Sequence, residues 1–489
     1  MTLLIPFNNS YARLPEGFFV PVLPTRVASP RLIKFNHILA RELGLDPETL
    51  TTPEGVEVFA GVRIPQGAEP LAMVYAGHQF GQFVPQLGDG RAILLGEVRD
   101  QNGMNRDIQL KGAGLTAFSR HGDGRAALGP VLREYLVSEA MAALGIPTTR
   151  ALAAVATGET VWRDKALPGA ILTRVAASHI RIGTFQFFAA RGDEASLRCL
   201  ADYAIARHYP DSASSSAPYL ALLEGVIARQ AALVAQWLLV GFIHGVMNTD
   251  NMSISGETID YGPCAFMDTY HPATSFSSID ERGRYAYDRQ PDIALWNLCR
   301  LAECLLPLLS SDEAIAMSLA TVALQGFKDA FSAAHLGGLR RKLGLATAQA
   351  DDEALAHSLL DLMAEHGADF THSFRLLCDA AVNSENSEAD TALFSGFADW
   401  APRWRARLAQ EGISPSARRT AMRRVNPAFI PRNHRVEAAL ALAVDKDDLS
   451  GFETLLKILA TPYDDQPEHA AYTEPPPPER ERYRTFCGT

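Results

Sequence analysis

Hydrophobic spacing changes character partway along this chain, and that change restricts the folds open to it. Between residues 71 and 173 the apolar runs are short. Ala92 to Val98, Asp107 to Lys111, Leu152 to Ala156 and Ala170 to Arg174 lie between Gly-containing turns, which is strand patterning. One helix interrupts them. It begins near Ala126 to Pro130, carries Val131, Leu132, Tyr135, Leu136, Met141 and Leu144 at spacings of three and four, and stops at Gly145-Ile146-Pro147. From about residue 195 the spacing is helical and stays so, as in the segments 291–308, 313–345 and 352–378. A chain of 489 residues exceeds what one hydrophobic core usually organises, so two or more subdomains with a cleft between them are expected.

Charge and composition remove several classes. With 45 basic and 56 acidic residues the net charge is -11, which argues against a surface that holds nucleic acid by counterion release. Arg418, Arg419, Arg423 and Arg424 form a local basic cluster, read as a solvated or salt-bridged helix face. The apolar stretch from Val226 to Ile243 is interrupted by Arg229, Gln230 and Gln236 and reads as a buried core helix, so no membrane association is expected. The first residues lack the basic and apolar regions of a secretory signal, and a cytoplasmic location is expected. Six cysteines show no CxxC spacing, hence neither a zinc site nor a disulfide framework is indicated.

A β-rich part with one helix, followed by a longer helical part, is the order of lobes in a protein kinase-like fold. The segment HGVMNTDNMSISGETIDYGPCAFMD, residues 244–268, tests that reading. Kinases place a His, an Asp two positions later and an Asn five beyond it, then an Asp-Phe-Gly whose Asp, with the Asn, holds magnesium. Here Asn251 and Asp260 are nine positions apart, with room for a two-strand hairpin around Ser255-Gly256, and Asp260-Tyr261-Gly262 stands at the metal motif. Counting back from Asn251 puts His244 at the motif's His but Val246 where the catalytic Asp belongs. Valine accepts no proton, and Asp250 is the one acidic residue left in the loop to do so. A calcium loop is excluded, since Met252 and Ile254 fall where it requires oxygen ligands.

Further kinase-like parts lie upstream. Lys111 ends the segment 107–111, and alternation turns Ile108 and Leu110 one way and Gln109 and Lys111 the other, toward a cleft. Glu134 sits on the following helix, placed to pair with that lysine. Two Gly-rich turns, residues 77–81 and 86–91, precede a strand and offer backbone N–H groups to a nucleotide.

Taken together, GHQFGQFVPQLGDGRA, DIQLKGAGLTAFSRHGDGRA, LTRVAASHIRIGTFQFF, HGVMNTDNMSISGETIDYGP and QPDIALWNL resemble the selenoprotein O family, over essentially the whole chain. The resemblance implies an α+β, protein kinase-like bilobal fold: an extra N-terminal segment (1–70), a β-rich N-lobe with one key helix (71–173), a helical C-lobe (174–330) and a helical C-terminal extension (331–489). It implies a pseudokinase that binds ATP flipped and transfers AMP to Ser, Thr or Tyr hydroxyls of proteins, releasing diphosphate. Carried over residue by residue, Gly88, Gly90, Arg91, Lys111, Asp123, Gly124, Arg174, Arg181 and Asp260 bind the nucleotide. Glu134 pairs with Lys111, Asn251 and Asp260 hold Mg2+ or Mn2+, and Asp250 is the proton acceptor. The expected partners are ATP and protein substrates, with a monomer as the working unit. The family often carries a redox residue near its C-terminus, where Cys487 stands, and a pairing of Cys264 with Cys487 is one expectation, two free thiols the other. Transfer of the γ-phosphate to a protein or small molecule remains the alternative activity, a non-catalytic nucleotide scaffold the third, and UTP remains open in place of ATP.

Overall fold

In the computed structural model the described residues are 5–382, 397, 399–477 and 483–485. Short alternating runs near the start of the chain become an antiparallel sheet. Its strands are β1 (Phe19–Pro21), β2 (Arg31–Phe35), β3 (Leu71–Met73), β6 (Ala92–Arg99), β7 (Asn105–Lys111), β8 (Ala126–Ala127), β9 (Arg150–Trp162) and β10 (Ala166–Ala176). They run in the order β1-β3-β6-β7-β10-β9-β2, with β8 paired to β10. The first seventy residues thus supply both edges of the sheet. Two further strands, β4 (Gly77–Gln79) and β5 (Gln82–Val84), form a separate hairpin.

Alternation sends the two faces of the sheet into different cores. Ile93, Leu95, Ile108, Leu110 and Val155 pack with Leu39, Val58 and Phe59 from the short helices α1 (His37–Glu42), α2 (Pro47–Leu50) and α3 (Pro53–Phe59). The opposite face carries α4 (Leu128–Ala143), whose Val131, Leu132, Tyr135 and Leu136 pack with Ala154 and Leu172. Burial of each such large apolar side chain is worth about 1.5–3 kcal/mol. Helix α4 is covered on its outer side too. The helices Asn433–Lys446 and Ser450–Leu459 return from the far end of the chain and place Leu440, Phe452 and Leu455 against it. Glu437 of the first holds Arg133 of α4 at 2.8 Å, which fixes the helix between the sheet and the C-terminal extension.

The remaining large core is helical: α5 (Ile182–Ala189), α6 (Glu194–His208), α7 (Pro218–Leu239), α8 (Gln290–Leu309), α9 (Glu313–Lys342), α10 (Asp352–Glu365) and α11 (Phe370–Ala380). Helicity begins earlier than 195, at Ile182, and is interrupted by the largely irregular segment 244–289. The periodic stretch 352–378 is two helices, because the chain turns at Gly367 with φ +60° and Asp369 caps α11 through His372 N–H. Helix α7 is the one described helix long and apolar enough to cross a membrane, and most of its apolar window is buried by its neighbours. It starts at Pro218 and ends at Leu239, where Gly241 turns the chain into β11 (Phe242–Ile243), paired with β12 (Ala265–Phe266).

Candidate active site

Strand β7 delivers Lys111 to a cleft between the sheet and the helical part, and α4 delivers Glu134 to meet it. Lys111 Nζ lies 2.6 Å from Glu134 Oε2 and 3.2 Å from Asp260 Oδ1. Arg174, on β10 beside Lys111 on the sheet, uses Nε for Glu134 Oε1 and Nη2 for Asp260 Oδ1. Arg181 adds Nη1 at 3.5 Å from Asp260 Oδ2, and its guanidinium lies 4.4 Å from the centre of the Tyr75 ring. Three cations therefore surround one carboxylate, and Asp260 holds φ +65°, an uncommon conformation for a non-glycine residue. Burial alone would favour its neutral acid, but Arg174, Lys111 and Arg181 outweigh burial and hold it well below the usual carboxylate range. Glu134 is likewise lowered against its burial by Arg174 and Lys111. Burial and the neighbouring Arg174 lower Lys111, with Glu134 and Asp260 opposing them.

The loop that carries Asp250 and Asn251 forms the opposite wall. His244 N–H donates to Gln290 Oε1 at 3.0 Å, and its Nε2 meets the Ile259 carbonyl at 2.8 Å, which ties the loop to the residue before Asp260. Val246 lines the cleft with an apolar side chain at the position kinases give to their base. Asn251 Nδ2 donates to Val246 O at 3.0 Å, which turns the amide oxygen away from that carbonyl. Asp250 is 8% exposed; Gln79 Nε2 donates to its Oδ2 at 3.3 Å, and Oδ1 has no hydrogen-bond partner among the described residues. Burial raises its pKa to about 6, offset only partly by Arg181 and by the Gln79 hydrogen bond.

Ser255-Gly256 does turn, with Gly256 at φ +81°, yet its flanks do not pair into the expected hairpin. Ser253 bridges to Arg181 and Thr258 to Thr148, so the segment is stitched to the sheet side of the cleft. That stitching fixes Asp260 relative to Arg174 and Arg181.

The Gly-rich turn forms the cleft's roof. Gly88 takes φ +68°, and a Cβ there would lie 2.2 Å from the Phe118 ring. Ser119 Oγ donates to the Gly90 carbonyl, and Thr116 Oγ1 to the Asp89 carbonyl at 2.6 Å, which fastens the turn to the loop 112–125. On that loop Gly124 has φ +68°, and a Cβ would sit 2.1 Å from the Gly114 carbonyl oxygen. Asp123 accepts from Arg163 at 2.8 Å and from Arg125 N–H at 2.9 Å, at the exposed mouth. Gly88, Gly90, Arg91, Lys111, Asp123, Gly124, Arg174, Arg181, Asp250, Asn251 and Asp260 all line one cavity of about 730 Å3. Glu134 does not; it borders a neighbouring cavity of about 410 Å3 and reaches the cleft through Lys111 and Arg174.

Three participants escaped the sequence reading. Asp89, buried inside the LGDGR run, accepts from Gln109 Nε2 and Met73 N–H, both at 3.2 Å, and faces Arg181 at 4.0 Å. Gln79 carries the contact to Asp250. Asp107 receives Arg207 of α6 at 2.5 Å and His179 at 2.9 Å, while the His179 carbonyl accepts from Arg181 Nε at 3.2 Å. Asp107 and Asp89 stood within quoted motifs, but only the sheet register shows which way they point. Cys264 is buried and forms no disulfide among the described residues, and Cys487 lies outside them.

No group of three or more His, Cys, Asp or Glu gathers as a metal cluster among the described residues. The donor set nonetheless suits a hard divalent cation, because Asn251 has its amide oxygen free of Val246 and ionised Asp260 keeps Oδ2 lightly engaged.

A lysine paired with a helix glutamate, an Asn and Asp on consecutive loops and a Gly-rich roof define a kinase-like, nucleotide-handling enzyme without the kinase's usual base. Comparison with known proteins carries this further. Residues 2–460 match the family model described as protein adenylyltransferase SelO. Over the full length of both chains, the sequence is 64% identical to a protein nucleotidyltransferase YdiU of Rhodopseudomonas palustris (strain BisB5) and 65% identical to that of Bradyrhizobium sp. (strain ORS 278). It is 66% identical, again end to end, to that of Methylorubrum extorquens. The chain belongs to the SelO family of protein adenylyltransferases, with its kinase-like fold.

Proposed function

We propose that the cleft transfers AMP from ATP to Ser, Thr or Tyr hydroxyls of acceptor proteins and releases diphosphate, the triphosphate entering with its γ end innermost. The observation that carries this orientation is the buried cationic group Lys111, Arg174 and Arg181, which suits phosphate oxygens and not an adenine ring. The acceptor hydroxyl oxygen bonds to the α-phosphorus, the bond from that phosphorus to the bridging oxygen breaks, and the electron pair leaves on diphosphate. The hydroxyl proton passes to Asp250, whose pKa of about 6 leaves it ionised yet basic near neutrality. Lys111, Arg174 and Arg181 neutralise the leaving diphosphate, while Glu134 keeps Lys111 and Arg174 in place. Mg2+ or Mn2+, held by Asn251 and Asp260, would supply further positive charge to the phosphates when bound. Gly88, Gly90, Gly124 and Asp123 shape the roof over the nucleotide, and Arg91 reaches it from β6's entry. In domain terms this assigns 71–173 to the N-lobe and 174–330 to the C-lobe, flanked by 1–70 and 331–489.

Val246 speaks against γ-phosphate transfer, since the position that deprotonates a kinase acceptor is apolar. ATP labelled at the α- or the γ-phosphate, incubated with the chain, divalent metal and a protein extract, separates the two. Label on protein from the α position alone, lost in Asp260→Ala, is expected; label from the γ position alone would establish a kinase. Replacing ATP with α-labelled UTP tests the choice of base.

A further inference from the structure

With the γ end of the triphosphate among Lys111, Arg174 and Arg181, the base lies toward the mouth of the same cavity, under a roof that includes Asp123, Gly124, Trp162 and Arg163. Of the Tyr, Phe and Trp rings that line this cavity, three are engaged elsewhere. Tyr75 lies under the Arg181 guanidinium, 4.4 Å away. Phe118 is buried beneath Gly88, and Phe80 stands across the cleft, with its N–H on Asn248 and its ring 5.3 Å from that of Tyr285. Trp162 is 72% exposed.

Strand pairing turns Trp162 toward the cleft. It stands opposite Ala166 in the β9–β10 hairpin, and at even steps from Ala166 along β10 come Leu172, opposite Lys111, and then Arg174. Alternation therefore puts the indole on the face of the sheet that carries Lys111 and Arg174. The tip of the hairpin is fastened to the loop 112–125. Arg163 Nη1 and Nη2 donate to the two carboxylate oxygens of Asp123 at 2.8 and 3.1 Å, and also to the carbonyls of Trp162 at 2.8 Å and Arg125 at 2.9 Å. Arg125 in turn donates to the carbonyls of Thr25 at 3.1 Å and Arg26 at 3.0 Å and pairs with Glu159 of β9 at 2.9 Å. A large flat ring left uncovered on a backbone held this firmly has the form of a platform for a flat ligand.

Resting on the reading that the γ end is innermost, we propose that Trp162 stacks on the adenine of bound ATP and so fixes the base end of the nucleotide. Arg163 and Asp123 position the indole. Both Asp123 oxygens are taken by Arg163, so this carboxylate serves the base by holding the hairpin and not by reading an amino group.

The test measures binding of ATP and of inorganic triphosphate, each with Mg2+, by calorimetry on the full chain. The variants are Trp162→Ala, Trp162→Phe, Arg163→Gln and the double Trp162→Ala/Arg163→Gln. Trp162→Ala is expected to weaken ATP about tenfold, the loss of one base–aromatic stack, while triphosphate stays within about twofold. Trp162→Phe keeps most of the ATP affinity, because a stacking ring remains. Arg163→Gln weakens ATP about threefold by itself and adds nothing to Trp162→Ala, since it acts through the indole. An unchanged urea midpoint shows that each variant is folded. Unchanged ATP affinity in Trp162→Ala would overturn the stack, as it would if only KM for an acceptor protein rose. Equal weakening of ATP and triphosphate would overturn it as well, because the effect would not lie at the base. A wild type that labels proteins only from the γ position would instead overturn the inward γ-phosphate and the proposed function beneath it.

Discussion

Asp250 and Asp260 are ten residues apart, line the same cleft and are both largely buried, yet their surroundings push them in opposite directions. Asp260 has Lys111, Arg174 and Arg181 around it and stays ionised far below ordinary carboxylate pKa values. Among the described residues, Asp250 has one amide donor on Oδ2 and no hydrogen bond on Oδ1, and burial pushes it up to about 6. The difference fits the roles proposed for the pair: a permanently charged group suits the holding of metal and phosphate-side cations, and a group that titrates near neutrality suits proton transfer. Nothing in the residue type decides this. The distribution of cations across the cleft does.

The largest effect should come from removing the charge at Asp260. Asp260→Asn leaves three buried cations short of their counter-charge, so α-label transfer is expected to fall by about 10³-fold or more and stability by about 3–5 kcal/mol, read by urea unfolding. The sign with pH follows. A carboxyl whose folded pKa is depressed contributes stability that is present above its unfolded value and is lost as pH falls toward the folded one. Acid unfolding of the wild type should therefore carry this contribution, and that of Asp260→Asn should not.

Asp250→Asn should separate activity from stability. Transfer is expected to drop about 10²- to 10⁴-fold, with ATP binding retained. A carboxyl with a raised folded pKa binds extra protons in the native state, so its favourable contribution exists below the unfolded value and is lost as pH rises through about 6. The ionised group thus costs stability above that range, and at about pH 7.5 Asp250→Asn is expected to gain about 2–3 kcal/mol in urea unfolding. The wild-type rate should rise with pH through an apparent pKa near 6, and a rate flat from about pH 5 to 8 would erase the contrast between the two carboxylates. The smallest change is Arg174→Lys. It keeps a cation but loses the fork that joins Glu134 to Asp260, and KM for ATP is expected to rise about tenfold with kcat less affected.

Much of this was legible in the chain. Alternation at Ile108, Gln109, Leu110 and Lys111 set the lysine's direction, and the observed register puts Ile108 and Leu110 in one core and Lys111 in the cleft. The spacing of Asn251, Asp260 and Val246 located the two loops. Asp89, Gln79 and Asp107 were not singled out, because their partners are distant in sequence: Met73 and Gln109 for Asp89, Asp250 for Gln79, and Arg207 for Asp107. Side chains that act through distant partners leave no local period.

The same division holds for the whole molecule. Neighbouring positions in the chain were enough to mark the β-rich and helical parts, the place of α4, the metal-motif spacing and the family, since local periodicity and residue type are written there. Only folding settled that the first seventy residues edge the sheet, that Leu440 and Phe452 return to cover α4, and that three cations face Asp260 while Gln79 donates to Asp250. Those outcomes depend on burial and on charges brought together across the chain, and the energy of a buried charge is set by what surrounds it in space, not by its neighbours in sequence.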